Sequence, residues 1–205
     1  IENTNALVTT LRGIGLIYTN QANLPKALKF YQKALIKAET AKDTLAASNM
    51  YAVIADVYMQ QDNYKKAFTN YKEARQGFKL INANSRVADM NLMLAKVYKK
   101  QENYSKALQQ GRTALETYRQ LEDRCAFGDA YLTLAQSYIG LKNSDSTALY
   151  LNKALKNALA CKNVQSTLLA SVYGELGTFY QQRRQKDSAF AAYEAALKYA
   201  SLSKN

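Results

Sequence analysis

Histidine is absent from all 205 residues. That removes the usual general base, the imidazole of nucleophilic triads and a common metal ligand. Proline occurs once and glycine 8 times, so little interrupts long helices and few backbone positions are expected to need unusual dihedrals. Gly13 and Gly15 form a GxG within a helical pattern and make no phosphate-cradling loop. Cysteine occurs twice, as Cys125 and Cys161, without metal-ligand spacing. No run approaches 18 apolar residues, and the opening segment lacks a basic stretch followed by an apolar one. Neither a membrane span nor a signal peptide is therefore read. The chain starts at Ile1, and its apolar pattern continues almost to Asn205, as expected for a piece of a longer protein. These absences point away from an enzyme and call for no cofactor and no metal.

What is present reads as an all-α globular chain, 48% hydrophobic and 21% charged. Lys and Arg number 28 against 16 acids, a formal charge of +12. The excess lies mainly in the middle of the chain, where residues 63–142 hold 14 bases and 7 acids. Such a balance favours acidic partners and speeds encounter with them.

Tyr18, Tyr58, Tyr98, Tyr138 and Tyr180 recur at spacings of 40, 40, 40 and 42 residues. Nine residues after each comes Ala27, Ala67, Ala107, Thr147 or Ala189. One supersecondary unit is thus copied five times. Before each tyrosine the spacing i, i+3, i+4, i+7 marks one helical face: Tyr51, Ile54, Ala55, Tyr58 in the second copy, and Tyr131, Leu134, Ala135, Tyr138 in the fourth. The third member is always Gly or Ala, which lets another helix approach closely. A second stripe follows, such as Ala67, Phe68, Tyr71, Ala74 and Ala189, Phe190, Tyr193, Ala196, Leu197. Between the two stand Asn23, Asn63, Asn103 and Asn143, natural helix N-caps, with Pro25 in a first turn. Each unit therefore reads as a helix, a short turn and an antiparallel helix, over about 4–41, 44–81, 84–121, 124–162 and 166–203. The 42-residue spacing places two extra residues near Lys162 to Gln165.

This pattern resembles the tetratricopeptide repeat family over residues 8–202. The period of about 40, against the commoner 34, lengthens each helix by most of a turn, and the usual proline at the repeat end is absent. The resemblance implies a single array over 1–205, a right-handed superhelical solenoid of five antiparallel helix-turn-helix repeats whose first helices line a concave groove. The longer variety resembles arrays in adaptor proteins and in the ligand-sensing parts of bacterial regulators and sensor kinases.

On the first helices, the side away from the apolar stripe carries the candidate ligand groove: Arg12, Leu16, Asn49, Asp56, Asp89, Leu92, Lys96, Lys99, Asp129, Leu132 and Gln136. Asn49, Asp89 and Asp129 form a polar row, with Leu92, Leu132 and Ile139 expected to leave apolar surface beside it. Such a groove suits a protein or extended peptide, whose backbone needs hydrogen bonds and whose side chains need pockets. The family's carboxylate clamp for chaperone tails is absent, since Leu16 stands where the clamp has an Asn and Asp89 and Met93 replace its later basic pair. Nucleic acid is the weaker reading. It rests on Lys65, Lys66, Lys72, Arg75, Lys96, Lys99 and Lys100, while most of the 16 tyrosines are taken up by the packing stripes.

Three irregularities stand out. In the third repeat Asn91 and Gly111 replace large apolar residues, so looser packing is expected there. The last helix carries Ala191, Ala192 and Tyr199 off its stripe, so either a further repeat or a second copy is expected to cover it. Cys125 and Cys161 fall at the same end of the fourth hairpin, where a disulfide is conceivable and a buried Cys161 is the alternative. Together these observations indicate a non-enzymatic recognition module, either the sensing or scaffolding region of a bacterial signalling or regulatory protein or a general adaptor for assembling a complex.

Overall fold

The structure, a computed structural model, describes residues 2–161 and 166–202. The extra residues expected at 162–165 lie outside the described residues. The helices are α1 (Glu2–Asn20), α2 (Leu24–Thr40), α3 (Thr44–Gln60), α4 (Tyr64–Leu80), α5 (Asn84–Lys100), α6 (Tyr104–Gln120), α7 (Phe127–Gly140), α8 (Ser144–Ala160), α9 (Ser166–Gln182) and α10 (Lys186–Leu202). A 3₁₀ turn, Arg124–Ala126, leads into α7. Helices of 17 residues joined by three-residue turns reproduce the 40-residue spacing of the tyrosines.

The N-caps fall where the sequence puts them. Asn23, Asn63, Asn103 and Asn143 accept hydrogen bonds from the backbone N–H groups of Lys26, Lys66, Lys106 and Ser146. Asp43 caps α3 in the same way, through Ala46 N at 2.9 Å. Each cap satisfies one of the N–H groups a helix start leaves without a partner.

Backbone strain departs from expectation. Ala22, Lys42, Asp62, Asn82, Glu102, Glu122, Lys142 and Arg184 all have φ between 54° and 61°, and none is glycine. After α1, Ala22 N donates to Thr19 O and Asn23 N to Tyr18 O, the pair of bonds that closes a Schellman turn. A side chain in this left-handed region costs about 1 kcal/mol relative to glycine. The capping bonds and the packing of the two helices hold the turn in place despite that cost. Composition did not reveal these positions, because the turn demands a dihedral and not a residue type.

The chain divides into two compact units, residues 1–101 and 102–205. The first contains α1 to α5. Between α1, α2 and α3 it buries Val8, Ala34, Ala38 and Met50, and beside them Ala27, Tyr31, Ile54 and Val57. Tyr71, Ala74 and Phe78 of α4 meet Met90, Leu94 and Val97 of α5. Full burial of such a side chain contributes roughly 1.5–3 kcal/mol. At Gly15, one of the invariably small positions, a Cβ would run into the Tyr31 ring. The second unit contains α6 to α10, and its core joins Leu132, Ala135, Leu151, Ala154, Val172, Leu176 and Phe179.

In the third repeat the two positions that lack a large apolar residue, Asn91 and Gly111, are both buried. Within α5, Asn91 is only 5% exposed, and its Oδ1 accepts a hydrogen bond from Arg75 Nη1 of α4 at 3.0 Å. A polar partner from the neighbouring helix thus replaces the missing apolar contact. In α6, Gly111 is buried along with Ala107, Leu108 and Ala114.

Cys125 and Cys161 are joined by a disulfide, with their Cα atoms 5.7 Å apart. It ties the 3₁₀ turn before α7 to the end of α8. Asn157 reinforces the same end by donating from Nδ2 to Arg124 O at 2.8 Å.

The outer face of α10 differs from expectation in part, since Ala191 is exposed while the other two off-stripe residues are covered. Ala192 is buried in the core of the second unit, and Tyr199 stacks on Tyr173 with ring centroids 5.6 Å apart. The large exposed apolar side chains of α10 are Phe190, Tyr193, Leu197 and Leu202, the first three of which the repeat pattern assigns to the packing stripe.

Candidate functional site

The first unit gathers a polar strip between α3 and α5. Asn49 and Asp56 are seven residues apart on α3, two turns or about 10.5 Å along its axis, and so share one face. At the lower level, Arg86 in the first turn of α5 donates from Nη2 to Asn49 Oδ1 at 3.1 Å. Its Nη1 reaches Asp89 Oδ2 at 3.3 Å, and its guanidinium lies 5.0 Å from the centre of the Phe78 ring. One arginine therefore ties two of the expected groove residues together across two helices. Planar guanidinium suits this bridging of a carboxylate and an amide while stacking on an aromatic face.

At the upper level stands Asp56. Tyr71 of α4, buried among Ala55, Ala67 and Ala74, donates its hydroxyl to Asp56 Oδ1 at 2.5 Å. Asp56 is exposed, yet the protein around its carboxyl displaces enough water to raise it above the ordinary carboxylate range. The Tyr71 hydrogen bond and the positive charges of Lys96 and Arg86 pull in the opposite direction. The phenol of Tyr71 is driven far above its usual range, by burial first and then by the Asp56 charge and hydrogen bond.

The other expected groove residues are less closely joined. Arg12 and Leu16 are exposed on α1. Lys96 and Lys99 are half-buried on α5, where Lys96 lies near enough to Asp56 to act on its charge. In the second unit Asp129 is half-buried at the start of α7, and Gln136 donates from Nε2 to Glu175 Oε1 at 2.7 Å. Leu92 and Leu132 do not leave apolar surface: they are 4% and 7% exposed, and Leu132 belongs to the core of the second unit. In both repeats the helix buries a wider arc than the four-residue stripe indicated. Ile139 stays half-buried.

Tyr71 and Arg86 were missed as members of this strip. Tyr71 sits on a packing stripe by spacing, and nothing in the spacing tells where its hydroxyl ends. Arg86 could have been found, since it precedes Asp89 by three residues on an exposed helical face.

A separate hollow of about 430 Å³ opens among α2, α3 and α4, beside Glu39, Tyr51 and Glu73. Tyr51 donates to Glu39 Oε1 at 2.7 Å, and its phenol is pushed up to about 12, chiefly by that hydrogen bond, with burial and the charges of both glutamates adding to it. Among the described residues no group of three or more Cys, Asp and Glu side chains could share a metal ion. Nor is any described helix long and apolar enough to cross a membrane.

Paired antiparallel helices, mostly of 17 residues, copied at a period of about 40 residues around a small-residue contact, define a helical-hairpin repeat protein. Residues 43–120 match a model of the tetratricopeptide repeat, and residues 170–201 match a second model of the same repeat. These two segments cover just over half of the sequence, and the chain belongs to the tetratricopeptide repeat family. No curated protein sequence matches it. Among solved structures, it is similar to BtubC of P. vanneervenii, with 20% identity and a TM-score of 0.79, covering 98% of this chain and 83% of that one. A Rap protein complexed with competence and sporulation factor is similar at 19% identity and a TM-score of 0.82, covering 95% of this chain and 54% of that one. A signal-transduction ATPase with a tetratricopeptide repeat sensor, from Pyrococcus horikoshii, is similar at 25% identity and a TM-score of 0.73, covering 95% and 30%. The chain thus spans about half the length of the Rap protein and under a third of the ATPase.

Proposed function

We propose that the chain is a non-enzymatic module that recognises a protein or an extended peptide, and that it forms the sensing or scaffolding region of a bacterial signalling or transcription-regulatory protein. The observation that carries this reading is the strip from Asn49 to Asp56, with Arg86, Asp89 and Lys96 beside it. It offers donors and acceptors about 10.5 Å apart along α3, the span of roughly three residues of extended peptide. Backbone recognition by such groups, with side chains settling beside them, is a recurrent mode of peptide capture. Two of the similar structures support the sensing role by their own character: one is a Rap protein bound to a competence and sporulation factor, the other an ATPase whose repeat array is a sensor.

The test is a phage-displayed library of random-sequence peptides, panned on the 205-residue protein. Binders are then titrated against wild type and against the double variant Asp89→Lys with Lys96→Glu. Binding is expected to weaken by at least about tenfold and to depend weakly on salt. Unchanged affinity in a variant of full helicity would place the binding site elsewhere. Capture of nucleic acid with a steep salt dependence would favour the basic surface instead.

A further inference from the structure

The second helices of the first four repeats open on Leu24, Tyr64, Tyr104 and Ser144. In three of these repeats the opening residue is large and packed. Leu24 lies against the cluster of Ala27, Ile54 and Val57, and Tyr64 against the cluster that holds Ala67 and Val97. The ring of Tyr104 sits so close to Gly140 of α7 that a Cβ there would run into it. The fourth repeat has a serine instead, exposed at the start of α8.

Beside that serine a hollow of about 390 Å³ opens among α7, α8 and α9, within the roughly 300–1,000 Å³ of small-ligand sites. Ser144 and Thr147 of α8, Ile139 of α7, and Thr178 and Phe179 of α9 line it. Thr147 and Phe179 stand at the repeat positions of Ala67 and Val97, members of the cluster that takes the Tyr64 ring. Although Phe179 is larger than Val97, the space beside it stays open. The hollow is thus the place of an aromatic ring that this repeat does not itself supply.

Charge narrows the choice of ring. Among the described residues that line the hollow none is acidic, and Lys142 is one of them. Arg183, just past α9, donates from Nη1 to Ser144 Oγ at 3.2 Å, and its guanidinium lies 5.5 Å from the centre of the Phe179 ring. A guanidinium carries five donors and the Ser144 bond uses one. A carboxylate next to an inserted ring would meet positive charge at the mouth.

We propose that this hollow binds an aromatic side chain presented by a peptide in which an acidic residue flanks the ring. The ring takes the place that Tyr64 and Tyr104 take in their own repeats, and the carboxylate meets Lys142 and Arg183. The site belongs to the second unit and does not depend on the strip of α3 and α5.

Two blocked tripeptides, Glu-Phe-Glu and Glu-Ala-Glu, test it by titration into isotope-labelled protein followed by NMR. The first is expected to shift the amide signals of Ile139, Ser144, Thr147 and Thr178, and to bind at least about tenfold tighter than the second. Ser144→Tyr supplies the ring from within and is expected to weaken the phenylalanine peptide by at least about tenfold. Arg183→Glu, at an exposed position, reads the charge separately and is expected to weaken it by at least about fivefold. Circular dichroism checks that both variants keep their helicity. Equal binding of the two tripeptides, or full affinity in either variant, would overturn the inference. Shifts confined to Asn49, Asp56 and Asp89 would overturn it too, by placing the peptide on the strip, and would leave peptide recognition by the chain standing.

Discussion

Replacing Tyr71 with phenylalanine tests how the Asp56 carboxylate is held. Tyr71 is 2% exposed, and the substitution removes its hydroxyl while leaving the ring packed among Ala55, Ala67 and Ala74. A hydrogen bond to an ionised group contributes ~1.5–3 kcal/mol when its partners are well buried. Asp56 is exposed, so water takes over part of the lost bond and the expected cost is about 1–2 kcal/mol. For a chain of this length that lowers the thermal midpoint by roughly 2–8 °C. The pH dependence identifies the cause. Burial raises the Asp56 carboxyl above its ordinary 3.8, and Tyr71 is the largest influence drawing it back. Between 3.8 and its folded value, the folded state therefore keeps a proton on Asp56 that the unfolded chain has released. Asp56 subtracts stability as pH rises from 3.8 through its folded value, and above that value the loss is complete. Without the Tyr71 hydroxyl the folded value climbs further, so the loss at neutral pH grows. Below 3.8 the acid is protonated in both states and the two proteins converge. Urea unfolding of both proteins, followed by circular dichroism from pH 7 downward, reads this directly. A difference under about 0.5 kcal/mol at pH 7, or one that does not shrink on acidification, would show that the hydroxyl does not support an ionised Asp56.

The other predictions concern the scaffold. Gly13 and Gly15 lie two residues apart in α1, but a Cβ at Gly13 meets open space while one at Gly15 meets the Tyr31 ring. Gly13→Ala is expected to stabilise by about 0.5–1 kcal/mol and Gly15→Ala to destabilise by about 1–3 kcal/mol; thermal melts that shift the same way would refute the packing argument. Reduction of the Cys125–Cys161 bond opens a loop of 36 residues, for which chain entropy gives a loss of about 3.5–4 kcal/mol. Comparing unfolding with and without reductant, alongside a free-thiol assay, checks it; an unchanged midpoint after two thiols appear would show that the bond adds no stability.

Much of the fold is legible in one dimension because its contacts are local and repeated. The Asn caps could be placed from spacing alone, since a cap bond joins residues three apart, as in Asn23 with Lys26 N. The small position at Gly15 and Ala55 was legible for a similar reason: five copies show the same choice of Gly or Ala. The left-handed turns were not legible, because Ala22, Lys42 and Glu102 share a dihedral and no chemistry. Of the candidate strip, the sequence supplied Asn49, Asp56, Asp89 and Lys96 as residues on one helical side. It could not show that Arg86 joins two of them or that a buried tyrosine holds a third. It also exposed Leu92 and Leu132, which the helix–helix contacts bury.

The sequence by itself determined the unit, its period, the helix ends and which face of each helix is apolar. These follow from the 3.6-residue turn and the chemistry of caps, which act within a few residues of the chain. Only the tertiary structure decided which apolar positions are covered. Phe190 and Leu197 carry the same pattern as Leu28 and Leu35, yet α3 lies over the latter pair while the former stand in solvent. It likewise decided which polar groups meet, because a hydrogen bond such as Arg86 to Asn49 joins residues 37 apart. Periodicity gives the direction in which a side chain leaves its helix; what it meets there depends on where the next helix lies.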